Sequence, residues 1–340
     1  MMRVLVRCDA SPKIGGGHAM RCLALAEGLR DRGHAVTFAM ASGAEMMRGR
    51  CAAEKLSIEA ISAEPASRGD LTATMHMASN VPADLVVIDG PGLHAALGPS
   101  IGAAKLGMLV LDDEGFADAL PGAFVLNPNV WAANSDYPEV SPARLMLGVD
   151  HVLLRREFRA PARSADLASP VRRILITLGA SDPDNFAGAV VRRLGSSPEF
   201  SDCEIHVVVG PLNEGFGDTQ AKGGASVSIH RNPPNMAALM DSSDLAMSAA
   251  GGTLWELYRR GTPTLPVVIA SNQRRNSEWL VARGMAARTI GDPDDAVAGL
   301  AALMADHTRR DELSRAGRLL VDGEGVSRVV ATLERNFDLK

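Results

Sequence analysis

Val4-Leu5-Val6-Arg7-Cys8-Asp9-Ala10-Ser11-Pro12-Lys13-Ile14-Gly15-Gly16-Gly17-His18 begins as an apolar run and ends in a glycine-rich loop. Met20, Leu23, Ala24 and Leu29 then recur down one helical face. Strand, loop and helix in that order open an α/β fold. The glycines let backbone approach a ligand closely, and the helix start offers free N–H groups and a positive dipole end. A phosphate or another oxyanion suits such a place. Two nucleotide loops fail on single residues. A dinucleotide loop needs a third glycine where Met20 stands, and no Lys-Ser/Thr pair closes a P-loop.

The same alternation continues outward along the chain. Apolar runs at Ala35–Ala39, Ser57–Ile61, Leu85–Asp89, Met108–Leu111, Phe124–Asn127 and Leu145–Leu147 are separated by amphipathic stretches such as Leu93–Ala104. The pattern restarts with strands at Arg173–Leu178, Glu204–Val209, Val227–Ile229, Leu245–Ser248, Thr264–Ile269 and Ala287–Ile290. Short Val/Ile/Leu runs with helices between them predict parallel sheets covered on both faces. Between the halves, a stretch rich in Pro, Ala, Arg and Ser has no period. The reading is α/β, with two doubly wound Rossmann-like domains. Residues 1–154 form the first, 155–172 a linker and 173–340 the second, with the helix near Val326–Asn336 able to pack on either. Ligand is then expected at the carboxyl ends of the strands, in a shared cleft.

Composition narrows the partners. Among 340 residues, 46% are hydrophobic and 22% charged, enough for real cores. Aromatics are 4% and the formal net charge is −5, which argues against nucleic acid. Cys8, Cys22, Cys51 and Cys203 are scattered without a CxxC pair and read as buried thiols in a reducing compartment. No apolar stretch approaches a membrane span and no secretory core follows Met1, so a cytoplasmic location is expected. No His/Asp/Glu cluster has ligand spacing, and neither a metal nor a cofactor is expected.

His18 is the candidate base. At a helix start the dipole favours the neutral ring, ready to accept a proton. The bland alternative is a capping role, which the glycine loop immediately before it disfavours. A second strand-to-helix turn reads Ser248-Ala249-Ala250-Gly251-Gly252-Thr253-Leu254-Trp255-Glu256. Amides at Gly251, Gly252 and Thr253 suit a diphosphate, and Glu256 suits the two hydroxyls of a ribose. Ordinary capping is the alternative. Gly179 and Ser181 open the second half in the same way, and Asp182-x-Asp184 is more simply a cap than a metal site. Asn272 and Gln273 follow a strand and offer amides to sugar hydroxyls or an acetamido group.

Arg7-Cys8-Asp9-Ala10-Ser11, Ile14-Gly15-x-Gly17-His18-x-x-Arg21, Leu111-Asp112-Asp113, Leu126-Asn127-x-Asn129, Ser135-Asp136-Tyr137, Gly179-x-Ser181-Asp182 and Ser248–Glu256 together resemble the UDP-sugar hydrolases of pseudaminic acid biosynthesis. That family releases UDP and a free 2,4-diacetamido-2,4,6-trideoxy sugar, and has the two-domain glycosyltransferase B fold. The resemblance implies His18 as general base toward water at the anomeric carbon. It implies Gly179, Ser181, Gly251, Gly252, Thr253 and Glu256 around UDP, with the uracil against backbone near Ile229 and Arg231. On the sugar side it implies Asp9, Gly15, Gly17, Arg21, Asp89, Asn272 and Gln273. A UDP-sugar is the implied partner, and oligomeric state is not legible. One departure matters. After Asp89 the family presents His-Tyr-Gly, whereas this chain has Gly90-Pro91-Gly92. The sugar and the acceptor are therefore open, with a hydroxyl-accepting glycosyltransferase or a non-catalytic sugar-nucleotide binder as rivals.

Overall fold

Val4, Leu5 and Val6 are buried as consecutive residues. Neighbouring strand residues face opposite sides, so this requires a sheet covered on both faces. A computed structural model describes residues 1–115, 122–160, 170–213, 216 and 225–337. They form two units, Met1–Arg156 with Glu324–Lys340, and Glu157–Gly323.

The first unit runs β1 (Arg3–Cys8), α1 (Gly17–Asp31), β2 (Ala35–Met40), α2 (Ala44–Ala53), β3 (Ser57–Ala60), α3 (Arg68–Asn80), β4 (Leu85–Asp89), α4 (Leu93–Ala103), β5 (Gly107–Leu111), β6 (Phe124–Asn127) and β7 (Leu145–Leu147). Its sheet has the order β3-β2-β1-β4-β5-β6-β7 with every pair parallel. The order reverses between β1 and β4, which makes their carboxyl ends the switch point where ligands bind in such sheets. Leu5, Val86, Ile88, Leu97, Ile101, Val110 and Val125 fill one side of this unit's core.

After the single turn α5 (Arg156–Arg159), the second unit has β8 (Arg173–Thr177), α6 (Phe186–Ser196), β9 (Glu204–Val209), β10 (Ser226–Arg231), α7 (Met236–Asp241), β11 (Leu245–Ala249), α8 (Gly252–Arg260), β12 (Thr264–Val267), α9 (Arg274–Ala282), α10 (Pro293–Ala305) and α11 (His307–Leu320). Its parallel sheet is ordered β10-β9-β8-β11-β12, with the switch point between β8 and β11. The α6 residues Phe186, Val190, Val191 and Leu194 recur at helical spacing and pack on Ile174, Ile176 and Val207 of the sheet. Ala287–Ile290, expected as a strand, is irregular, and Ile290 instead accepts a hydrogen bond from Val268 N at 2.7 Å.

The last helix, α12 (Gly325–Asn336), corrects the expected boundary. Its buried stripe of Val326, Val329, Val330 and Leu333 belongs to the first unit, not to a domain running 173–340. The fit is tight: a Cβ on Gly28 of α1 would lie 2.2 Å from Val326 Cγ1, and one on Gly107 would lie 2.1 Å from the Phe337 ring. Buried His34 adds a polar tie. Its Nδ1 accepts from Met2 N at 3.0 Å, so Nε2–H donates to Glu334 of α12 at 3.1 Å. Most of the expected linker, 161–169, lies outside the described residues. No helix among the described residues is long and apolar enough to cross a membrane.

Candidate active site

The loop after β1 turns on Gly15, whose φ of +76° favours glycine, and closes by paired backbone bonds between Ser11 and Gly15. It delivers His18 to the first turn of α1 with its side chain 15% exposed. Asp89, the last residue of the neighbouring β4, is completely buried beneath it. His18 Nδ1 and Asp89 Oδ1 are 2.7 Å apart. Arg21, one turn further along α1, donates to both oxygens of Asp89 at 2.6 Å and reaches Asp113 Oδ1 at 2.6 Å. The buried Cys22 thiol also donates to Asp89 Oδ2, at 3.4 Å.

These contacts fix the imidazole tautomer. Burial raises the Asp89 carboxyl, but the charges of Arg21 and His18 override it and hold the group at about 2. Asp89 is then an acceptor only, so Nδ1 carries the proton and donates. Arg21 Nη2 lies 3.2 Å from Nδ1, and both donate to the same Oδ1. Nε2 of the neutral ring is left as the basic nitrogen. Burial pulls the His18 ring downward, yet the Asp89 charge reverses this and the net shift is upward. The dipole argument from sequence therefore gave the wrong sign, because a full carboxylate charge at hydrogen-bond distance outweighs the partial charge of a helix end.

Of the residues expected to touch sugar, Arg21 and Asp89 are brought to His18 but bind each other and the ring. Asp9 is paired with protein groups on both oxygens. Its Oδ1 accepts from Ala41 N and Ser42 N at 2.8 Å, while Oδ2 pairs with buried Arg7 at 2.7 Å. Arg7 in turn makes a two-pronged bond to Asp70 of α3, at 2.8 Å each. Asp9 thus anchors the loop to the end of β2. Gly17, the first residue of α1, has nothing within 4 Å of where a Cβ would stand.

In the second unit, Gly251 precedes α8 in extended conformation and Gly252 opens it. Among the described residues no side chain caps this helix, and the space where a Gly252 Cβ would sit is open to 4 Å. Its first amides and dipole end are therefore presented outward beside half-buried Thr253 and, one turn on, half-buried Glu256. Gln273 Oε1 accepts from Ile269 N at 3.0 Å, placing Nε2 3.8 Å from the Gly251 Cβ position, and Asn272 is exposed next to it. Gly179, at φ +91°, and half-buried Ser181 follow β8 on the other side of the switch point. Asp182 accepts from Phe186 N at 2.9 Å and Ala187 N at 2.8 Å, which is a capping role for α6. Half-buried Ile229 packs on the core from β10, an edge strand whose outer main-chain groups have no neighbouring strand. Arg231 donates to the Phe216 carbonyl at 2.9 Å.

Sequence reasoning did not assign Asp113, Asn127, Asn129, Tyr137 or Asn276 to a site. Asn276 Nδ2 donates to Ala250 O at 3.2 Å, tying α9 to the glycine turn. Asp113 was visible as a carboxylate ending a strand, but its link to Arg21 depends on the strand order.

No protein-family profile matches this chain. It is 28% identical over 202 residues, 57% of its length, to the spore coat polysaccharide biosynthesis protein SpsG of Bacillus subtilis, of which this covers 59%. It is 25% identical over 284 residues, 80% of its length, to the uncharacterized protein MJ1062 of Methanocaldococcus jannaschii, of which this covers 56%. The chain thus spans less than two thirds of the curated relatives it matches. Among solved structures, the glycosyltransferase SnogD from Streptomyces nogalater aligns over 97% of this chain and 99% of its own, with TM-score 0.65 and 19% identity. The S. aureus MnaA–UDP complex aligns over 100% of this chain and 98% of its own, with TM-score 0.69 and 14% identity. The fold is the glycosyltransferase B fold.

Proposed function

We propose that this protein is an enzyme of sugar biosynthesis that hydrolyses a UDP-linked amino-deoxy sugar, with His18 as general base. The observation that carries the reading is the buried, ionised Asp89 on Nδ1 of His18, which leaves Nε2 as a proton acceptor at a sheet switch point. Nε2 takes a proton from water as the water oxygen bonds to the anomeric carbon. The bond from that carbon to the diphosphate oxygen breaks, and its electron pair leaves with UDP. One displacement inverts the anomeric centre. The uncapped start of α8 supplies amides to the diphosphate, and Glu256 binds the ribose. The UDP held by the S. aureus fold neighbour and the polysaccharide role in SpsG's name support a UDP-sugar. A 2,4-diacetamido-2,4,6-trideoxy sugar of the pseudaminic acid type is the substrate we favour.

The same base would activate an alcohol, and a glycosyltransferase shares the fold, so a hydroxyl acceptor is the second reading. Mass spectrometry of a UDP-sugar panel incubated with the protein alone separates the two. Release of UDP and free sugar in buffer supports hydrolysis. Turnover only when an acceptor sugar is added supports transfer, and absence of turnover in both arms overturns the enzymatic reading.

A further inference from the structure

A buried polar chain leads from the far strands of the first sheet to the imidazole. Tyr137 is buried and its hydroxyl accepts from Asn127 Nδ2 at 2.8 Å. Asn127 Oδ1 accepts from Asn129 Nδ2 at 2.9 Å and Asn129 N at 3.1 Å. Asn129 Nδ2 also reaches Asp113 Oδ1 at 3.2 Å, and that oxygen accepts from Arg21 Nη1 at 2.6 Å. Arg21 then grips Asp89, which holds His18. Each donor and acceptor has one sense, so the amide orientations are determined.

We propose that Asp113 is a positioning residue for the reaction of His18, acting through Arg21. It holds the guanidinium across Asp89 and adds a second carboxylate to the cluster. This rests on His18 being the base, as in the function proposed above. With a neutral ring, one guanidinium faces two carboxylates, and the cluster carries net negative charge until the ring accepts a proton. The imidazolium formed as water is deprotonated is thereby stabilised. The charged and titratable groups facing the ring are Arg21 and, through Asp89, Cys22 on α1, Asp89 at the end of β4, and Asp113 beyond β5. A buried chain of amides and a phenol costs desolvation unless fully satisfied, and here it terminates on the one partly exposed imidazole of the switch point.

Asp113→Asn keeps an oxygen for Arg21 and Asn129 while removing the charge. Histidine side-chain NMR, with the His18 signal assigned by its loss in His18→Ala, follows the ring titration directly. In Asp113→Asn the His18 midpoint moves to lower pH. With the UDP-sugar substrate, kcat falls about tenfold while KM changes less than about twofold. Asp113→Ala, which also frees Arg21, loses more kcat than Asp113→Asn. A His18 midpoint unmoved in both variants overturns the proposal, as does a loss confined to KM. If the wild-type protein cleaves no UDP-sugar, the functional reading falls, while the NMR midpoint still decides whether Asp113 acts on His18.

Discussion

Replacing Asp89 by Asn probes the centre of the proposed mechanism. The two carboxylate oxygens accept four donors: His18 Nδ1 and Arg21 Nη2 on Oδ1, Arg21 Nε and Cys22 Sγ on Oδ2. An asparagine offers one oxygen, and its NH2 must face an Arg21 N–H whichever way it turns. If the amide oxygen stays with Arg21 Nε, the NH2 donates to Nδ1 and forces the proton onto Nε2, the nitrogen that must accept. Carboxylate-to-amide replacement behind a catalytic histidine costs about 10⁴ in kcat through this wrong tautomer, so a fall of about 10³–10⁴ is expected here, about 4–5 kcal/mol of barrier. Stability falls by a smaller amount, about 1–3 kcal/mol, because Arg21 keeps Asp113 as a partner.

The assay is UDP release across pH, with UDP binding and thermal melting as controls for folding. The base must be unprotonated, so wild-type kcat/KM rises with pH through a midpoint above the ordinary histidine value, because the Asp89 charge outweighs the lowering by burial. In Asp89→Asn the dominant raising charge is gone and any residual limb moves to lower pH. A folded Asp89→Asn enzyme within about tenfold of wild-type kcat would refute the dyad, since a general base contributes about 10²–10⁴.

Acid stability has a definite sign. Asp89 is depressed to about 2, so its contribution is present above the usual carboxylate range and is lost as pH falls from about 4 toward 2, measurable as a drop in melting temperature. Gly252→Asp meets open space and places a carboxylate at the start of α8. Melting temperature should hold or rise slightly through the dipole, while calorimetric UDP affinity falls at least about tenfold, about 1.4 kcal/mol; unchanged affinity places UDP elsewhere. Gly28→Ala drives a methyl into Val326, so overpacking of about 1–3 kcal/mol outweighs alanine's helix preference of about 1 kcal/mol. The variant melts a few degrees lower, and an unchanged melting point would contradict the seating of α12 on α1.

How much the sequence revealed depends on the range of the interaction. The strand, glycine loop and helix at Val4–His18 are local, as is the Gly251–Gly252 turn, and both are legible from composition and spacing. His18 and Arg21 at i and i+3 share one helix face, so their proximity is implicit as well. The stripe Val326, Val329, Val330 and Leu333 declares a buried face on α12 but not its partner, because Gly28, near the other end of the chain, makes room for it.

Polar residues at strand ends pose a harder problem. Asp9, Asp89 and Arg21 are all sugar-side residues by what the resemblance implies. Burial adds its own demand: a charge removed from water needs a charged or hydrogen-bonding partner, and these three find theirs in Arg7, in His18 and in one another. Gly90 stands where the family that the sequence resembles presents a histidine, and Gly92 is common to both. With φ at +151° and +72°, this loop occupies conformations that L residues rarely adopt, so a histidine at position 90 would be strained before meeting any substrate. The proposed sugar contact of exposed Asn272 is tested through UDP-sugar selectivity in its alanine variant.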